Sequence, residues 1–196
     1  AHTNALTNPN ALFHKPISAQ DVIDSRLISP PIRLFDCSPI CDGAAAVVLA
    51  PSDQAAHFKD DSVRILASSV ATDRFRSADR PEPLSLLAAR NSANKAFSRA
   101  GITVADVDFF EVHDAFSIMA CLLLEAVGFA RAGEGWKLAA AGEIGRNGRL
   151  PLSTFGGLKA RGHPIGATAP YQTWEIVLHL TGKAKTTPCT TPQILH

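Results

Sequence analysis

Between Asp114 and Gly128 the chain reads DAFSIMACLLLEAVG, and the only charged side chain between those two ends is Glu125. A helix of that composition has no polar face to offer water. It is also shorter than the roughly 20 apolar residues that a membrane crossing needs. The segment must therefore be a central helix buried between other elements, with Asp114 as its expected N-cap and Gly128 as its stop. Only a layered domain can cover such a helix on every side.

The flanking text alternates strand-like and helix-like runs. AAAVVLA (44–50) is an apolar run of strand length, expected to be buried on both faces, and VRILASSVA (63–71) reads as a second strand. Between them PSDQAAHFK offers Ser52 or Asp53 as the cap of a short helix. Ser85 is placed to cap a helix in which Leu86, Ala89, Ala93, Ala96, Phe97 and Ala100 form one stripe, ended by Gly101. DFFEV (108–112) is the next strand, and a last helix from about Thr168 to Thr181 is expected to bury Trp174, Val177 and Leu178. Upstream, Pro9, Pro16, Pro30 and Pro31 break residues 1–35 into a connecting arm whose best local helix is Ala19–Asp24, capped by Ser18. Strands alternating with helices predict an α/β fold with a mixed sheet.

Composition narrows the function classes. With 46% hydrophobic and 19% charged residues among 196, the chain is of globular type. A net charge of +1 without a basic block gives no electrostatic footprint for nucleic acid. No charged N-terminal segment leads into an apolar run of about 7–15 residues, so no secretory signal is expected. The cysteines Cys37, Cys41, Cys121 and Cys189 lack paired C-x-x-C spacing, so neither a structural metal site nor an oxidising compartment is indicated. A cytoplasmic setting is expected.

Three stretches carry chemistry. In GGLKARGHPIGATAP, Gly156, Gly157, Gly162 and Gly166 allow close backbone approach around His163, Pro164 fixes φ, and a helix starts just beyond. A neutral imidazole there suits a general base or an oxyanion donor, although a Gly- and Pro-rich turn can carry a histidine for no chemical reason. In FFEVHDAFS, His113 and Asp114 stand where a strand gives way to a helix, the end of an α/β sheet at which ligands gather. The alternative is a capping Asp114 with a hydrogen-bonded His113. In DCSPICDGAAAVVL, Cys37 and Cys41 are read as small buried apolar residues rather than nucleophiles or ligands. His2, His14, His57, His179 and His196 are read as surface or packing residues.

Taken in order, NPNALFHKPIS, SPICDGAAAVVL, EVHDAFS and GGLKARGHPIGAT resemble the thiolase superfamily, in the branch of the sterol-carrier-protein thiolases and archaeal acetyl-CoA acetyltransferases. The resemblance implies the C-terminal half of a dimeric, five-layered α/β/α/β/α protein acting on coenzyme A thioesters, with no tightly bound cofactor and no metal. It makes residues 1–35 the remnant of a loop domain, 36–182 the thiolase C-terminal-like domain and 183–196 a divergent tail. It gives His163 the role of the base that deprotonates a cysteine nucleophile, and His113 a place in the oxyanion hole. Gly162, Gly157 and Asp114 fall in the surrounding oxyanion and substrate loops. Acyl-CoA is then the small-molecule partner, and either a homo-oligomer or a partner chain supplying the N-terminal thiolase half is expected.

The chain departs from that pattern in three ways. The resemblance covers only the second half of a thiolase, so these 196 residues do not include the half that bears the nucleophile. The ending KAKTTPCTTPQILH puts Cys189 between Pro188 and Pro192 instead of in a C-x-G turn, and Ala115 stands where the sterol-carrier branch has a cysteine. Ala169 and Pro170 follow the GAT motif where a glycine is usual, a proline tolerated only within the first helical turn. The alternatives to an acyltransferase are a non-catalytic subunit or scaffold, a cysteine-free aldolase-like protein, or a truncated product.

Overall fold

The structure is a computed structural model describing residues 1–184, the side chains at 59–61 apart. Its helices are α1 (His2–Ala5), α2 (Ala19–Asp24), α3 (Leu87–Ala100), α4 (Ser117–Val127), α5 (Gly135–Ala140) and α6 (Thr168–Leu180). The expected cap of α2 is present as a full capping box: Asp21 N–H donates to Ser18 Oγ at 3.1 Å, and Ser18 N–H donates to Asp21 Oδ2 at 2.7 Å. Helix α3 half-buries the stripe its spacing predicts, and Gly101 ends it in the left-handed conformation at φ +69°. Ser85 is not its cap; the N-cap is Leu86, and the Ser85 hydroxyl instead accepts from Arg90 Nη2 at 3.3 Å. Ser52 likewise begins a 3₁₀ helix, Ser52–Asp61, that has no side-chain cap.

The core lies where α4 meets two extended segments. Val112, Leu124, Leu150 and Leu152 are its buried members, with Phe110, Leu123, Phe129 and Leu138 packed around them. The segments pair in parallel: Phe110 N–H donates to Pro151 O at 2.9 Å and Ser153 N–H to Phe110 O at 3.0 Å. Helix α4 packs against α3 on one side and α5 on another, as its apolar composition requires. Phe116 and Ile118, at its mouth, stay exposed.

Pairings of both directions occur, but regular sheet among the described residues is confined to a hairpin of β1 (Leu27–Ser29) and β2 (Ile32–Arg33). The run 44–50 forms no regular strand and is not buried on two faces: Val48 is 86% exposed and Leu49 72%. A doubly buried strand needs a layer on each face, and the described residues supply none over this run. Segment 63–71 has one such layer, because Ser92 Oγ and Arg99 Nη1 of α3 donate to Ser69 O and Ser68 O at 2.8 and 2.9 Å. Its outer face carries Val70, 81% exposed.

Helix α6 also turns differently from the expectation. Trp174 is 45% exposed, while Glu175 and His179 are buried and Val177 and Leu178 are half-buried. The polar partners available inside decide this: Glu175 meets Arg161, and His179 meets Thr154, so the stripe that faces inward is the one that can be satisfied there. Pro170 falls in the first turn of α6, where its missing N–H breaks no helical bond. No described helix is long and apolar enough to cross a membrane.

Candidate active site

Both motif histidines end extended segments. Residue 112 ends the core segment, and the chain turns at once, Asp114 N–H donating to Val112 O at 3.1 Å, so that the next two side chains meet different surroundings. His113 is exposed, whereas Asp114 is buried at 4% exposure. Asp114 does not cap α4, whose N-cap is Phe116. Its Oδ1 accepts the Leu158 N–H at 2.7 Å, across 44 residues. Burial pushes the Asp114 carboxyl above its ordinary range, against the pull of the Leu158 N–H.

That contact requires the glycine pair. Gly157 has φ +57°, and a Cβ there would stand 2.8 Å from Asp114 Cγ. It opens a π-helical turn, Gly157–Arg161, that leads into Gly162 at φ +126°, where a Cβ would meet Cys41 Sγ at 2.9 Å. Beyond it His163 is held as a strand residue: its N–H donates to Pro39 O at 3.0 Å and its carbonyl accepts from Cys41 N at 3.3 Å. The same short segment reaches the other histidine loop, since Ser38 N–H donates to Ala115 O at 2.9 Å. Residues 37–41 thus tie the two histidine-bearing segments together by backbone hydrogen bonds.

The result is an imidazole pair. The rings of His113 and His163 lie edge to face, centroids 5.2 Å apart with planes at 84°. His163 Nδ1 is 2.7 Å from the hydroxyl of the buried Thr168, at the start of α6. With the proton on Nδ1 donated to Thr168 Oγ1, Nε2 is left as the free acceptor. Burial, then the charges of His113 and Arg161, hold the His163 pKa below its ordinary value, with Asp114 opposing. A half-buried imidazole kept neutral at pH 7 is a competent proton acceptor.

Other groups around the pair carry no signal in sequence spacing. Lys159 Nζ donates to Phe35 O at 2.6 Å and to Ser117 Oγ at 2.7 Å, and Ser117 Oγ donates to Asp36 Oδ1 at 2.7 Å. Burial lowers the Lys159 pKa, against Asp36 and Asp114. A cleft of about 820 Å³ opens beside Asp114 and Lys159, with Asn4, Arg146 and Ser153 on its walls. The N-terminal arm closes over the same turn: Asn8 Nδ2 donates to Phe155 O at 2.9 Å, and Leu12 N–H to Arg161 O at 3.1 Å. Cys37 and Cys41 are half-buried free thiols, and Cys189 lies outside the described residues. Among the described residues no group of three or more His, Cys, Asp or Glu could hold a metal ion.

An α/β domain with paired imidazoles at the ends of two strand segments, one on a GHP turn, defines a thiolase-like protein. The thiolase C-terminal domain-like family model matches residues 69–194, and the chain belongs to that family. It is 43% identical over 183 residues to an acetyl-CoA acetyltransferase of Methanothermobacter thermautotrophicus, covering 93% of this chain and 48% of the relative. It is 32% identical over 188 residues to sterol carrier protein 2 of Bos taurus, covering 93% of this chain and 35% of the relative. Among solved structures, an Ltp2–ChsH2(DUF35) aldolase superposes with a TM-score of 0.85 at 23% identity, over 95% of this chain and 50% of that one. The chain therefore spans half or less of the length of these proteins.

Proposed function

We propose that this chain is the base-bearing half of a thiolase-type acyltransferase acting on coenzyme A thioesters. The observation that supports the reading is the imidazole pair, one ring held at Nδ1 by Thr168 and the other exposed beside it. In this reading His163 Nε2 takes the proton from a cysteine thiol of the nucleophile-bearing half. The thiolate adds to the thioester carbonyl, and negative charge develops on its oxygen. His113 donates to that oxygen, directly or through water. The tetrahedral adduct then collapses, the C–S bond to coenzyme A breaks, and the imidazolium returns the proton to the leaving thiolate. The acyl group stays on the cysteine.

The reading requires the nucleophile half, on whichever polypeptide carries it, and places residues 36–182 as the domain that docks with it. Acyl-CoA is the substrate, no bound cofactor is needed, and a reducing, cytoplasmic setting suits the thiol. The exposed apolar run 44–50 with Val70 offers a face for the second half. The same face supports a second reading, a non-catalytic docking subunit.

Mixing the chain with a cysteine-bearing N-terminal thiolase half and assaying thiolysis of acetoacetyl-CoA separates the two. Activity in the mixture that His163→Ala lowers by roughly 10²–10⁴-fold supports the base assignment. A stable complex in which His163→Ala is as active as the parent chain, or in which neither is active, leaves only the docking role.

A further inference from the structure

Behind the imidazole pair lies a buried charge cluster that the proposed chemistry does not use. Arg161 Nη1 donates to Glu175 Oε2 at 2.6 Å, with the two side chains 6% and 1% exposed. The guanidinium also stacks over Tyr171, 5.3 Å from the ring centroid. Its Nη2 is buried without a hydrogen-bond partner, and the Glu111 carboxyl is buried with no partner beyond the weak pull of the Thr154 backbone N–H. Orphaned buried donors and acceptors are rare, and these come from one cluster with opposite polarity.

The places of the three residues in the chain matter more than the ion pair itself. Glu111 stands two residues before His113, in the core segment that leads into it. Arg161 stands two residues before His163, and Glu175 lies on α6, whose first residue, Thr168, bonds His163. The cluster therefore joins every element that carries or holds an imidazole. Buried ion pairs contribute little net stability compared with apolar packing, and their attested use is to fix register.

We propose that Arg161 is the positioning residue of the imidazole pair, its guanidinium gripping Glu175 behind His163 and facing Glu111 behind His113, so that the two rings are set against each other. Two carboxyls share one cation. Burial pushes both above the carboxylate range, Glu175 to about 7 against the pull of Arg161 and Glu111 well upward with the charge of Glu175 adding to it. Glu111 lacks the hydrogen bond to Arg161 that Glu175 makes. The groups that act electrostatically on His163 are His113, Arg161 and Asp114, with the Thr168 hydroxyl on Nδ1.

This inference rests on the proposed roles of His113 and His163, but its test reads ring position in this chain and needs no activity, so either can fail alone. The full chain is labelled at histidine, and the His163 titration and the His113–His163 ring cross-peak are followed by NMR. In the double variant Arg161→Met with Glu175→Leu, the cross-peak should vanish. The His163 midpoint should rise by about half a pH unit, because the cation that disfavours imidazolium is gone. Glu111→Gln keeps the side-chain shape and leaves the Arg161–Glu175 hydrogen bond in place, and should leave the cross-peak as it is. A folded double variant with the parent cross-peak and midpoint overturns the proposal, and so does a Glu111→Gln variant that loses the cross-peak. If the double variant does not fold, Glu175→Gln takes its place: the guanidinium then turns to Glu111 and the cross-peak weakens, whereas a cross-peak of parent intensity overturns the proposal.

Discussion

Asp114 and Leu158 are joined by a 2.7 Å hydrogen bond from the Leu158 N–H to the Asp114 carboxylate, and Gly157 is the residue that lets them approach. Gly157→Ala puts a methyl group against the carboxylate at a positive φ and should destabilise the chain by about 3 kcal/mol. Gly101→Ala, at φ +69° with open space around it, carries only the conformational penalty and should cost about 1 kcal/mol. Urea midpoints of the two variants measure the difference, and equal losses would remove the steric account of the Gly-Gly pair.

Thr168→Val keeps the shape of the first turn of α6 while removing the partner of His163 Nδ1. In the complemented assay kcat should fall roughly tenfold with KM little changed, because the base loses its orientation and its fixed tautomer. An unaltered kcat would mean that the neighbouring chain alone holds the ring.

Acid should weaken the fold through His179. Its ring lies between Phe109 and Phe155, at 5.0 and 5.4 Å, with Nε2 2.5 Å from Thr154 Oγ1. Burial, followed by the charge of Arg146, holds its pKa down to about 4 from 6.5. The folded state therefore takes up the proton later than the unfolded chain does. Stability present above pH 6.5 is lost as pH falls towards 4, by about 3 kcal/mol in all. His163, also depressed, adds to the loss in the same direction. Denaturation midpoints followed from pH 7 to 4 should decline, and His179→Gln should flatten most of the slope.

Glu175→Leu alone leaves the buried Arg161 without the carboxylate that hydrogen-bonds it and should cost about 3–5 kcal/mol. Adding Arg161→Met should recover most of that loss. Thermal melts of the single and double variants test this, and a double variant less stable than the single would show that the ion pair itself holds α6 in place.

The elements that could be read in advance are those whose cause is local. The Ser18–Asp21 box, the half-buried stripe of α3 and the Gly101 stop follow from spacing within a turn or two. The GHP turn and the HD pair could be recognised as motifs, but their relation could not. Ser85 and Asp114 have the chemistry of caps, yet each takes another partner. Asp114 does so because Leu158 N–H, far along the chain, is a buried donor that needs it. Trp174 looks like core and Glu175 like surface; the guanidinium of Arg161 reverses them.

The sequence by itself determined α2, α3, α4 and α6, the stops at Gly101 and Gly128, and that the apolar stretch 117–127 must be covered, since these follow from backbone preferences and hydrophobic periodicity along one piece of chain. Tertiary structure alone decided that His113 and His163 face each other, that residues 37–41 tie their loops, and that 44–50 finds no cover among the described residues. Such outcomes depend on which buried donor meets which acceptor and which layer lies over which face. Those choices are made between segments tens of residues apart, where spacing along the chain carries no information.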